Sequence, residues 1–296
     1  WGIRRIGALP IDIDARAGSE LMLRFADLTR PHYIACTPSL AEYLVQRAPT
    51  TIGKEVGDLR LKGLLLTGEI GVSVPELKEN LERAYNCRAY DYWAPAGHAI
   101  AISCDSAEYH GLHGTSPDLD TAFDDLVDPT TKKPVPIEEG ATGEMVITSL
   151  KRQATPLIRY ASGDIVQIFT KTCPNCGFPG KRIKIIGRSD DMLVVKGVNV
   201  YPSAIKQVIS SFVPKTTGEM RIILNQPPPR VIPPLKLKLE RGAEIGDSEL
   251  EGLADEIIHT LHSKLKIRAT IDWVRPGSLE KSTRKTPIFE KTYENA

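Results

Sequence analysis

Apolar positions in the first ninety residues alternate between a strand period and a helix period. Residues 33–36 form a short apolar run, after which Thr37 offers a helix N-cap and Pro38 a first helical position. Leu40, Tyr43, Leu44 and Ala48 then follow at helical spacing, and Pro49 is expected to end that helix. Residues 59–66 read as a strand whose second half is almost wholly apolar, as in a parallel strand covered on both faces. Ser73, Pro75 and Glu76 predict a capping-box start, with Val74, Leu77, Leu81 and Ala84 as the buried stripe behind it. Residues 88–93 are the next strand. Strand–helix–strand at this spacing predicts a parallel βαβ sheet.

The middle of the chain changes character. Residues 118–140 are acidic, contain prolines and read as turns; residues 144–150, 164–169 and 182–186 then read as strands of a smaller antiparallel sheet. Beyond Arg188 the pattern becomes α+β. Residues 192–195 and 198–201 flank Lys196-Gly197, a hairpin turn. A helix over 202–212, strands over 219–225 and 235–240, a long helix over 247–264 and a last strand over 270–274 follow. The long helix carries Leu250, Leu253, Ile257, Leu261 and Leu265 on one face. The expected architecture is therefore α/β followed by α+β. A large part over residues 1–187 and a small C-terminal domain over 188–296 meet near Arg188–Asp191.

Composition narrows the function classes. The 296 residues carry 38 Lys+Arg against 37 Asp+Glu, a balance that gives no electrostatic reason to expect nucleic acid or an anionic membrane as partner. No apolar run approaches the ~20 residues that span a bilayer. The five cysteines are too sparse for a disulfide framework, so a reducing cytoplasm is the simpler expectation. Only Cys173-Pro-Asn-Cys176 has metal-ligand spacing; the same pattern also reads as a tight turn closed by Gly177. The first residue is Trp1, and the chain is expected to lack its natural N-terminal part.

Specific chemistry enters with two strings. Pro156-Leu-Ile-Arg-Tyr-Ala-Ser-Gly-Asp164 and Gly187-Arg-Ser-Asp-Asp-Met-Leu-Val-Val-Lys-Gly-Val-Asn-Val-Tyr-Pro202 resemble two signature stretches of adenylate-forming enzymes. The second matches the phenylacetate–CoA ligase branch nearly letter for letter. Leu66-Thr-Gly-Glu69, Ala35-Cys-Thr-Pro-Ser39, Gly111-Leu-His113 and Pro276-Gly-Ser-Leu279 fit that branch in the same order. The resemblance implies a two-step reaction: a carboxylate attacks the α-phosphorus of ATP with Mg²⁺ present, and CoA thiolate then displaces AMP from the acyl-adenylate. It implies that the small domain swings between the steps.

Residue by residue, the resemblance implies that Asp164 accepts hydrogen bonds from the ribose hydroxyls and that Arg188 lies near the same sugar. Asp190 matches the hinge. Gly68 and Glu69 match a loop near the adenine and acyl sites, Asp91, Tyr92 and Trp93 the strand end by the adenine, and Lys196 and Gly197 the hairpin lining the CoA tunnel. Lys285 matches the mobile catalytic lysine, with Lys281 and Lys291 as neighbouring alternatives. An aromatic carboxylate such as phenylacetate and CoA are the implied substrates.

Two departures temper the resemblance. The Gly/Ser/Thr-rich phosphate loop of these enzymes is not found, and the chain is expected to need a complementary N-terminal subunit, a homodimer contact or the rest of a longer polypeptide. Gly97 stands where the Mg²⁺-holding Glu is expected, and glycine offers no carboxylate. Alternative readings are a non-catalytic nucleotide-binding relative and adenylyl transfer to another acceptor. Finally, Cys104 lies just before His110-Gly-Leu-His113. With Cys173 and Cys176, Cys104 and His113 would make a Cys₃His site for structural Zn²⁺, His110 being the reserve ligand.

Overall fold

The computed structural model describes residues 4, 6–14, 17–95, 101–114, 121–150, 153–154, 156–279 and 287–294. Helix α1 (Ser19–Thr29) precedes a βαβ series: β1 (Tyr33–Cys36), α2 (Pro38–Ile52), β2 (Gly63–Leu66), α3 (Pro75–Tyr85) and β3 (Arg88–Trp93). The three strands are parallel, with Cys36 beside Leu66 and Leu66 beside Asp91, so all three end at one edge of the sheet. Leu64 and Leu66 are buried, and Leu44, Ala48, Leu81 and Tyr85 from the two helices share their core. The buried Tyr85 hydroxyl donates to the Ala41 carbonyl at 2.9 Å, tying α3 to α2.

The antiparallel strands expected as a separate small sheet continue this one. Strands β4 (Ala101–Ser103), β5 (Leu112–His113), β6 (Thr121–Val127), β7 (Thr142–Ser149), β8 (Tyr160–Phe169) and β9 (Arg182–Arg188) complete a nine-stranded mixed sheet, in the order β1-β2-β3-β4-β5-β9-β8-β7-β6. Strand β6 falls in the acidic stretch read as turns; pairing with β7, with an irregularity between Ala122 and Asp125, makes it an edge strand despite its composition.

After β9 the chain builds a second core. The β10 (Leu193–Val195) and β11 (Val198–Val200) hairpin turns at Lys196 (φ 50°) and Gly197 (φ 82°), both left-handed as a two-residue turn of this kind requires. Helix α4 (Pro202–Ser210), β12 (Thr216–Leu224), β13 (Arg230–Val231), β14 (Leu235–Arg241), α5 (Leu250–Leu265), β15 (Ala269–Val274) and β16 (Phe289–Lys291) follow. A four-stranded sheet of order β15-β14-β12-β16 packs α4 against β12 and α5 against β15. Ile205, Ile209, Ile222, Leu237, Ile257 and Leu261 are fully buried between them.

Two local expectations fail for physical reasons. Pro49 lies inside α2, which runs to Ile52 and ends at Gly53 with φ 67°. Proline's missing N–H and its ring disturb the turn before it, and so near a C-terminus the following turn survives. The start of α3 has no capping box: Val74 is the N-cap, no side chain caps it, and the buried Glu76 Oε2 has no partner. Pro75 at the first helical position supplies the helical φ instead.

Ile257→Ala is expected to cost about 2–5 kcal/mol in chemical denaturation, because its fully buried side chain leaves a cavity between α5 and the four-stranded sheet.

Candidate nucleotide cleft and metal cluster

Parallel strands direct their carboxyl ends, and the loops after them, toward one crevice. Here Pro38 and Ser39 after β1, Gly68, Glu69 and Ile70 after β2, and Trp93, Ala94 and Pro95 at the end of β3 line a cleft of about 610 Å³. Asp91, Tyr92, Asp164, Gly187, Arg188 and Asp191 continue its wall, and α4, β12 and the segment into β16 close the far side. Sequence-predicted residues from three separate segments thus meet in one place.

The best-defined group in the cleft is the Asp164 carboxylate. Asp164 on β8 lies directly across from Arg188 on β9, so strand register sets their meeting. Arg188 Nη1 donates to Asp164 Oδ1 at 3.0 Å, and the Trp93 indole N–H donates to Oδ2 at 2.8 Å. Arg188 also makes a fork with Asp190, at 2.8 and 3.0 Å. Burial pushes the Asp164 carboxyl above the usual carboxylate range, and the Trp93 and Arg188 hydrogen bonds pull it part of the way back. Each carboxylate oxygen accepts one protein donor and keeps lone-pair capacity, so the pair suits a ligand with two adjacent hydroxyls.

The backbone makes room for this grip. Gly163 has φ 80°, and a Cβ there would stand 2.6 Å from Arg188 Nη2. Behind it, the buried Glu144 carboxylate accepts from Gly163 N at 3.1 Å and Ser189 Oγ at 3.4 Å, and pairs with Lys132. Glu144 therefore braces the residues next to both Asp164 and Arg188. Its sequence signal, one acid at the start of an apolar strand, did not single it out.

At the β1–β2 end, Glu69 accepts from the Ser39 backbone N–H at 3.2 Å and from the Ser39 hydroxyl. Its carboxylate sits on the N-terminus of α2, where the helix dipole favours negative charge. Gly68, at φ 85°, supplies the left-handed turn that delivers it. Asp91 is buried, and burial raises its carboxyl to about 6 against the opposing hydrogen bonds of Tyr109 and the Tyr92 backbone. On the far side, Lys206 pairs with Glu219 at 3.4 Å, and Arg221 and Lys291 reach the cleft. Lys206 and Arg221 lay outside every motif and were missed.

Other predicted residues stand apart. Lys196 and Gly197 are exposed and do not line the cleft. Lys285, Lys281 and Gly97 lie outside the described residues; Lys291, the third cation of the tail, is described and lines the cleft.

The four expected metal ligands do converge. Cys104 Sγ, His113, Cys173 Sγ and Cys176 Sγ all offer ligand atoms within 4.8 Å of one another. Cys104 and Cys173 sulfurs are 3.9 Å apart, and His113 Nε2 is 3.3 Å from Cys176 Sγ. Tetrahedral zinc–thiolate bonds of about 2.3 Å place sulfurs about 3.8 Å apart, so the spacing fits that ion. Burial raises Cys173, yet the Cys176 backbone N–H, His113 and further donors bring it down to about 6, whereas burial lifts Cys104 to about 11. His110 is not in the cluster; its carbonyl accepts from Arg182.

Cleft and fold together define the class. Residues 197–290 match the family model of the AMP-binding enzyme C-terminal domain, and the whole chain has the fold of the adenylate-forming superfamily. More narrowly, it is similar to phenylacetate–CoA ligases: it is 29% identical over 273 residues to the phenylacetate–coenzyme A ligase of Thermus thermophilus, covering 88% of this chain and 58% of that one. That of Escherichia coli is 28% identical, covering 72% and 46%. The chain spans roughly half the length of the curated relatives it matches. Among solved structures, a 2-hydroxyisobutyryl-CoA ligase in the postadenylation state with its acyl-AMP superposes with a TM-score of 0.84 at 26% identity, covering 99% of this chain and 62% of that one. In its thioesterification state the same enzyme superposes at only 0.55.

Gly163→Ala is expected to push Arg188 away from Asp164 and to cost about 1–3 kcal/mol in chemical denaturation, since both its φ and its space exclude a side chain.

Proposed function

We propose that this chain forms the ribose-gripping wall and the mobile lid of an ATP-dependent carboxylate–CoA ligase acting through an acyl-adenylate. The observation that carries this is the Asp164 carboxylate, held between Trp93 and Arg188 in the wall of a cleft formed at the ends of parallel strands. In this reading the ribose 2′ and 3′ hydroxyls donate to Asp164, and the adenine lies along Gly68, Glu69, Tyr92 and Trp93. Apolar Ile70, Val74 and Leu77 on one side of the cleft suit the body of an aromatic acid such as phenylacetate.

In the first half-reaction the substrate carboxylate attacks the α-phosphorus and pyrophosphate leaves. Lys285 is proposed to stabilise the charge developing between carboxylate and phosphate. In the second, CoA thiolate attacks the acyl carbonyl and AMP leaves. The lid is proposed to run from residue 188 to 296 and to pivot at Asp190. The better match to the postadenylation than to the thioesterification form of the 2-hydroxyisobutyryl-CoA ligase supports such a pivot. It also accounts for the hairpin at Lys196 and Gly197 standing outside the cleft, since a swing would bring it in to line the CoA path.

The Cys104, His113, Cys173 and Cys176 cluster is proposed to hold one structural zinc ion, which would clip the β8–β9 turn to the loop before β5. Protein expressed in zinc-supplemented medium is expected to retain about one equivalent of zinc by elemental analysis; less than half an equivalent would contradict the site.

A second reading, nucleotide binding without turnover, is favoured by Gly97 at the place of the Mg²⁺-holding Glu. The two part in one pair of measurements on the chain joined to, or mixed with, a relative's N-terminal segment. Ligase function predicts pyrophosphate release that requires ATP, Mg²⁺ and a phenylacetate-like acid. Saturable AMP binding with no release under the same conditions selects the second reading. In both, Asp164→Asn is expected to weaken AMP binding about 10- to 100-fold by calorimetry, because a neutral amide accepts fewer and weaker hydrogen bonds than the carboxylate. Unchanged affinity in that variant would contradict both.

A further inference from the structure

The loop from Cys104 to His113 begins and ends on residues of the metal cluster and is tethered along its length. Asn175 donates to the Asp105 carbonyl at 2.9 Å, Lys78 to the Ala107 carbonyl at 3.2 Å, and Arg182 to the His110 carbonyl. From the middle of this strap Tyr109 turns inward, and its hydroxyl donates to Asp91 Oδ2 at 2.6 Å. Ser103, the residue before Cys104, accepts from the Asp91 backbone N–H through its hydroxyl at 2.9 Å. Asp91 lines the cleft, whereas Tyr109 does not. A buried carboxylate depends on its few donors to stay charged and fixed. The strap therefore supplies the one side-chain donor seen on Asp91 among the described residues.

We propose that Tyr109 is a positioning residue that links the metal cluster to the nucleotide cleft, so that zinc occupancy and nucleotide binding stabilise each other. The inference rests on the readings of the cleft as a nucleotide site and of the cluster as a zinc site. Two of the four ligands, Cys104 and His113, are the ends of the strap; the other two sit on the β8–β9 turn. Loss of the ion removes one restraint from both ends at once, and Tyr109 then holds Asp91 less often. A nucleotide that docks on a fixed, charged Asp91 favours the ordered strap in return. Thermodynamic linkage makes the two effects equal in magnitude.

The test is the rate of zinc transfer from the purified, zinc-loaded protein to a chromophoric chelator, with and without saturating AMP, for wild type and Tyr109→Phe. Tyr109→Phe keeps the ring and removes only the donor. AMP is expected to slow zinc release about 5- to 10-fold in wild type and to leave the Tyr109→Phe rate within twofold. AMP titrations in parallel should show weaker binding in zinc-stripped wild type. That comparison needs no variant and keeps the inference testable should Tyr109→Phe fail to fold. AMP that binds wild type but leaves zinc release unchanged, or slows both proteins equally, overturns this inference and spares the nucleotide reading. AMP that does not bind zinc-loaded wild type overturns both.

Discussion

One carboxylate organises the cleft. Asp164 is buried, and a buried carboxylate is costly unless donors surround it. The chain answers with an indole N–H from the end of β3 and a guanidinium from the end of β9, two strands far apart in sequence. That demand explains several features at once: the cross-strand register of Asp164 with Arg188, the glycine at 163 that lets the guanidinium approach, and Glu144 bracing the residues on either side. Arg188 is shared between Asp164 and Asp190, so the proposed ribose site and the proposed pivot use the same cation. Movement at Asp190 is therefore bound to be felt at Asp164.

The nine-stranded sheet gives this arrangement its span. Because β3 continues through β4 and β5 into β9 and β8, Trp93 on the parallel half and Asp164 on the antiparallel half belong to one hydrogen-bonded surface. The Cys₃His cluster sits where that continuity is thinnest: β4 and β5 have three and two residues, and the cysteines of the β8–β9 turn join the loop between them. The zinc ion proposed for this cluster would supply there the cross-linking that such short strands lack.

Much of this was legible in the sequence. The parallel βαβ series, the Lys196-Gly197 turn and the long amphipathic helix followed from period and turn chemistry alone. Asp164, Arg188, Gly68 and Glu69, which line one cleft, were singled out by resemblance, and the four residues of the Cys₃His cluster by spacing together with resemblance. What the sequence hid was tertiary in origin. An acidic segment became β6 because a neighbouring strand offered it pairing. Pro49 failed to stop α2, and α3 began without a side-chain cap. Trp93 was read only as part of the strand end by the adenine; its hydrogen bond to Asp164 depends on a contact 71 residues away, which no local pattern encodes. Tyr109 and Glu144 were silent for the same reason.

Calorimetric titration with AMP and with its 2′,3′-dideoxy analogue shows whether Asp164 and its partners grip a cis-diol. Two hydrogen bonds to a charged acceptor predict an affinity at least about 100-fold lower for the analogue. Equal affinity for the two nucleotides would contradict the account.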